Sequence, residues 1–101
     1  MSSPVSHQPC YLVEWYRPQL AAAPLGETIA KLDAAAGALR DEGSTVRLVV
    51  TVAAPSDEVL YGVFAAGSPD TVIAACQRAG YPAERVTGGV NAWVTTDEPT
   101  G

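Results

Sequence analysis

One histidine, His7, in 101 residues leaves no histidine-rich metal site to assemble within a single chain. Charge is scarce too: Asp, Glu, Lys and Arg make up 17% of the sequence against 48% apolar residues, which is little for a chain that must wet its whole surface alone. Lys31 is the lone lysine, and a formal net charge of −5 opposes phosphate backbones and anionic lipid. No apolar run approaches the ~20 residues that span a bilayer, and the first residues lack the basic segment and apolar stretch of a signal peptide. Neither nucleic acid nor a membrane is an expected partner, and the chain reads as cytoplasmic. Cys10 and Cys76 form no CxxC pair and read as two free thiols.

The length fits one domain, which at this size buries only about two-thirds of the surface its unfolded chain exposes. Residues 1–9 and 96–101 show no periodicity and read as disordered termini around a domain spanning 10–95. Cys10 to Tyr16 is rich in aromatic and branched residues and is stopped by Pro18, which predicts a strand. Between Glu27 and Glu42, Ile29, Leu32, Ala36 and Leu39 recur at spacings of three and four, an amphipathic helix that Gly43 terminates. Thr45 to Ala53 and Val59 to Ala66 flank the turn chemistry of Pro55-Ser56-Asp57 and predict a hairpin.

Ser68-Pro69-Asp70 is a helix start: a capping hydroxyl, a proline where no N–H is needed, and an acid at the positive helix end. That helix turns Val72, Ile73, Cys76 and Ala79 inward and stops at Gly80. Val86 to Thr95 closes the chain as a strand, with Gly88-Gly89 marking a bulge. The order βαββαβ predicts an α+β, ferredoxin-like sandwich, a four-stranded antiparallel sheet with strands one and three in the middle and two helices on one face. The other face is left bare although strands two and three are apolar on both sides. Sheet-to-sheet packing of two copies would cover it and enclose a cavity, so a homodimer is the expected partner.

Glu14 stands out because a carboxylate in a central strand needs a compensating group or a cavity. It reads either as a ligand anchor, metal ligand or general base, or as a carboxylate satisfied by Arg17, Arg47 or Arg85. Strand parity places Leu12 and Tyr16 on its face; Tyr61, Phe64, Asn91 and Trp93 lie on the strands expected beside it, and which of them join Glu14 depends on register. Glu14, Tyr16, Tyr61, Asn91 and Trp93 are therefore the candidate ligand-binding residues. A metal would have to be held across a dimer by His7, Glu14 or Cys10; no metal site within one chain and no cofactor are expected. Tyr61-Gly62-Val63-Phe64 echoes the base-stacking strand of RNA-recognition domains but lacks its leading basic residue, and the acidic chain argues against RNA.

Several segments together resemble one family: Tyr11-Leu12-Val13-Glu14, Asp41-Glu42-Gly43, Ser44-Thr45-Val46, Gly67-Ser68-Pro69-Asp70, and Ala79-Gly80-Tyr81-Pro82-Ala83-Glu84-Arg85-Val86. The chain from about Tyr11 to Val94 is similar to the small nickel-binding, ferredoxin-like proteins, a family of unknown function. The resemblance implies a dimer with ligand space between the sheets, a role for the Glu14 position, and nickel as the metal such proteins hold. Where nickel-binding members carry a histidine in the second strand, this chain has Leu48. The wider relatives of that design include isomerases, cyclases and monooxygenases that work without cofactors. Three functions follow as expectations: a homodimeric accessory protein binding a small ligand or metal, a cofactor-free enzyme of those types, or a purely structural interaction module.

Overall fold

The computed structural model describes residues 2–4 and 8–95, with the backbone alone at 2–4, 21–22 and 93–95. In chain order its elements are β1 (Ser2–Pro4), β2 (Cys10–Trp15), α1 (Pro18–Ala22), α2 (Leu25–Asp41), β3 (Val46–Ala54), a 3₁₀ turn (Pro55–Asp57), β4 (Val59–Ala66), α3 (Pro69–Ala79), β5 (Arg85–Val90) and β6 (Trp93–Thr95). Four strands form one antiparallel sheet in the order β3-β4-β2-β5, so the first and third long strands take the middle as expected. This is an α+β architecture consistent with the ferredoxin-like class, in which α1 and β1 were not expected and β6 is the end of the expected closing strand.

Local chemistry accounts for the element ends. Ser68 caps α3 by accepting the Thr71 N–H at 3.3 Å, Pro69 occupies the first turn, and Asp70 sits at the positive end. Gly80 takes φ +87°, and the Tyr81 N–H returns to the Cys76 carbonyl at 2.9 Å, the reversal that a left-handed residue allows. The same pattern closes α2, where the Ser44 N–H reaches the Leu39 carbonyl at 2.9 Å.

α1 was not expected between Tyr16 and Glu27. Pro18 ends the strand, as predicted, but is also a suitable first helical residue, and Pro24 holds the preceding residue extended at ψ 159°. α2 accordingly begins at Leu25 rather than Glu27.

The core lies between the sheet and the helices. Val13 and Trp15 of β2, Leu60 and Phe64 of β4 and Val46 of β3 meet Leu32 and Ala36 of α2 and Val72 and Cys76 of α3, all buried. Leu20 of α1 joins the same cluster, so every helix contributes from this one side. The Trp15 indole N–H donates to the Tyr81 carbonyl at 2.8 Å and ties β2 to the segment that follows α3. Ile29 and Ile73, expected to face inward, are 36% and 37% exposed; the buried stripes instead run through Thr28, Leu32, Ala35, Ala36 and Leu39, and through Val72, Ala75 and Cys76.

The expected closing strand is divided. β5 pairs with β2 from Glu14↔Arg85 to Cys10↔Val90, with one extra β5 residue between Leu12↔Thr87 and Cys10↔Val90. That bulge falls at Gly88-Gly89, where Gly89 takes φ +69°. After Asn91 and Ala92 the chain resumes as β6, which leaves the main sheet and pairs with β1 in a separate two-stranded ladder. Ser2–Pro4, assigned above to a disordered terminus, is thus a strand; residues 5–7, His7 among them, and 96–101 lie outside the described residues.

Candidate functional site on the helix-free sheet face

Register decides which side chains share the face opposite the helices. Glu14 is opposite Tyr61, Leu12 opposite Val63 and Cys10 opposite Ala65 on the β2–β4 ladder. On the outer strands the same rows continue to Arg85, Thr87 and Val90 on β5 and to Val52, Val50 and Arg47 on β3. Because Val13 and Trp15 point into the core, this second set points away from it. The face is apolar at its middle, and Val50 and Val52 are 45% and 52% exposed. At the other end of the ladder Cys10 and Ala65 are buried, so only part of the face is bare.

A polar cluster occupies the Glu14 end. The Glu14 side chain is 14% exposed, and its Oε2 lies 3.5 Å from Nε of Arg85, directly across the β2–β5 ladder. Tyr16, one residue past the end of β2, donates its hydroxyl to Glu14 Oε1. That hydrogen bond, some desolvation and the negative charge of Glu14 raise the Tyr16 pKa above its ordinary 10.0, while Arg85 works in the opposite direction. A second carboxylate, Glu84, accepts the Tyr16 backbone N–H at 2.8 Å and meets Arg17 Nε at 3.3 Å. Its position follows from the backbone, since the Glu84 N–H donates to the Glu14 carbonyl at 3.1 Å.

Of the five candidate residues, Glu14, Tyr16 and Tyr61 come together and two do not. Asn91 is exposed in the break after β5, beside the Cys10 end of β2 and so away from Glu14. Trp93 belongs to β6, outside the four-stranded sheet, and its side chain is not among those described. Among the compensating arginines proposed for Glu14, Arg85 is the one in place. Glu84 was missed. Its signal was the Glu84-Arg85 pair opening the closing strand, which antiparallel pairing sets beside the end of β2.

Nickel is the metal that the family resemblance implies. No group of three or more His, Cys, Asp or Glu side chains is placed to hold a metal among the described residues, and Leu48 packs against the core, opposite Phe64 on the helix side. The thiols lie on opposite sides of the sheet: Cys10 shares the Glu14 face while Cys76 is in the core beneath α3, and both are free. Burial pushes the Cys76 thiol up to about 12. Two shallow depressions, of about 330 and 310 Å³, lie beside α1 and between α2 and α3, and neither is lined by Glu14. No helix among the described residues is long and apolar enough to cross a membrane.

These features define an α+β domain whose polar cluster borders an apolar sheet face. No family model matches the sequence, and no curated protein matches it. Among solved structures the fold is similar to the crystal structure of SCO4226 from Streptomyces coelicolor A3(2), with a TM-score of 0.61 and 15% identity over 77% of this chain and 91% of that one. At that identity the likeness concerns the fold alone.

Proposed function

We propose that the chain is a ferredoxin-like homodimer that packs its helix-free faces together and holds a small ligand between the sheets, bordered by Glu14, Tyr16 and Tyr61. The observation that carries this reading is the exposure of Val50 and Val52, 45% and 52%, in the same cross-strand rows as Leu12, Val63 and Tyr61. Apolar side chains gathered on one sheet face gain most when a second layer excludes water from them. Glu14 is engaged by both Arg85 and Tyr16, which suits a residue that fixes the shape and polarity of a cavity end better than a base that must take a proton. A binding role is accordingly favoured over the cofactor-free enzyme.

Light scattering on the full chain at micromolar concentration tests the assembly: the mass of two chains is expected, and the mass of one overturns the reading. Native mass spectrometry of the same sample reports a copurifying ligand. Metal analysis addresses the nickel implied by the family resemblance, and less than about a tenth of an equivalent per dimer removes it.

A further inference from the structure

The polar end of the helix-free face is balanced in charge. Glu14, 14% exposed, is opposed by the guanidinium of Arg85, and Tyr16 directs its proton at the same carboxylate. The Tyr16 pKa lies above the ordinary 10.0, so the phenol adds no charge at neutral pH. Arg47 lies on the same face two rows away, at the opposite corner. Tyr61 differs from its neighbours: it sits directly opposite Glu14 in register, yet its hydroxyl has no hydrogen-bond partner among the described residues. Around it Leu12, Val63 and Val52 supply an apolar floor.

We propose that this face takes a neutral, mainly apolar ligand that presents one hydrogen-bond acceptor, a carbonyl or ether oxygen, to the Tyr61 hydroxyl. The inference rests on the reading of the face as a covered ligand site. Once the face is covered, a charge brought in by the ligand meets an ion pair that is already satisfied and stays uncompensated, which is strongly unfavourable away from water. A neutral acceptor instead completes the one hydroxyl that burial would otherwise leave unpaired.

Three probes of nearly equal size separate the possibilities: acetylnaphthalene, naphthoate and naphthylmethylammonium, each titrated into the full chain at neutral pH and followed by NMR shifts of residues on β2 and β4. The neutral probe is expected to bind at least about tenfold more tightly than either ion, and Tyr61→Phe to weaken it roughly three- to tenfold with the far-ultraviolet spectrum unchanged. Glu14→Gln leaves Arg85 uncompensated and should reverse the order so that naphthoate binds best. Equal or tighter binding of either ion by the unaltered protein, or indifference to Tyr61→Phe, overturns the inference while leaving the ligand site standing. If none of the three binds, the ligand site itself falls and takes the inference with it; the light-scattering mass then reports on the dimer separately.

Discussion

The six-membered ring of the Trp15 indole covers Gly62, so closely that a Cβ at position 62 would lie 3.1 Å from Cζ3 and 3.3 Å from Cη2. The ring has little room to withdraw, since Trp15 is fully buried and its N–H is held by the Tyr81 carbonyl at 2.8 Å. Gly62→Ala is therefore expected to destabilise the fold by about 1–3 kcal/mol, the usual cost of an extra methyl in a filled core. The urea midpoint measures it. An unchanged or raised midpoint would mean that the indole shifts at no cost and that Gly62 is not needed for packing.

Cys76 makes a prediction about alkaline pH. Burial raises its thiol from 9.0 to about 12, so the folded state keeps the proton after the unfolded chain has lost it. The stability this contributes is fully present below about pH 9 and declines as pH rises toward 12. Urea titrations at increasing alkaline pH should show falling stability, and Cys76→Ser should flatten the fall. The same burial predicts that a thiol reagent labels Cys76 only when the protein unfolds. Rapid labelling of Cys76 in the native state at neutral pH would contradict the packing described for α3.

What the sequence disclosed was local. Ser68, Pro69 and Gly80 announced the limits of α3 because capping and left-handed turns depend on a few adjacent residues, and Gly88-Gly89 marked the bulge for the same reason. α1 escaped notice because five residues are too few to establish a period, and Pro18 suits both a strand end and a helix start. At the site, parity alone joined Leu12, Glu14 and Tyr16, whereas the membership of Tyr61 waited on the β2–β4 register, which no local signal encodes. Asn91 and Trp93 were misplaced for a related reason: alternation continued through a stretch where the chain leaves one sheet for another.

Tyr16 should report on Glu14 by its own titration. Its pKa lies above 10.0 chiefly because ionisation forfeits the hydrogen bond to Glu14, with some desolvation and then the neighbouring carboxylate charge adding to the effect. The phenol is thus expected to ionise later than a free tyrosine in an alkaline absorbance or NMR titration, and Glu14→Gln should move it down toward 10.0. The sign for stability follows: a group whose pKa is raised on folding stabilises below its unfolded pKa and loses that contribution as pH climbs through the folded value. Tyr16→Phe would lessen destabilisation above about pH 10. A Tyr16 titration unaffected by Glu14→Gln would show that the hydroxyl and carboxylate do not interact in solution.

The most direct pressure on the proposed assembly is a charge placed at Val52, the most exposed of the large apolar side chains on the helix-free face. Within one chain Val52→Glu should cost little, about 0.5 kcal/mol, because the side chain projects away from the core. Between two sheets it would bury a carboxylate near Tyr61 and Glu14 with no cation opposite it in register, and the dimer dissociation constant should rise by more than about a hundredfold. Two measurements tell these effects apart. The urea midpoint of the unaltered protein should rise with concentration, as it does when subunits stabilise each other, while that of Val52→Glu should not. Light scattering should find the variant monomeric at concentrations where the parent is a dimer. A variant that unfolds outright would place Val52 in the core of the single chain, and one that remains a dimer would move the interface off this face.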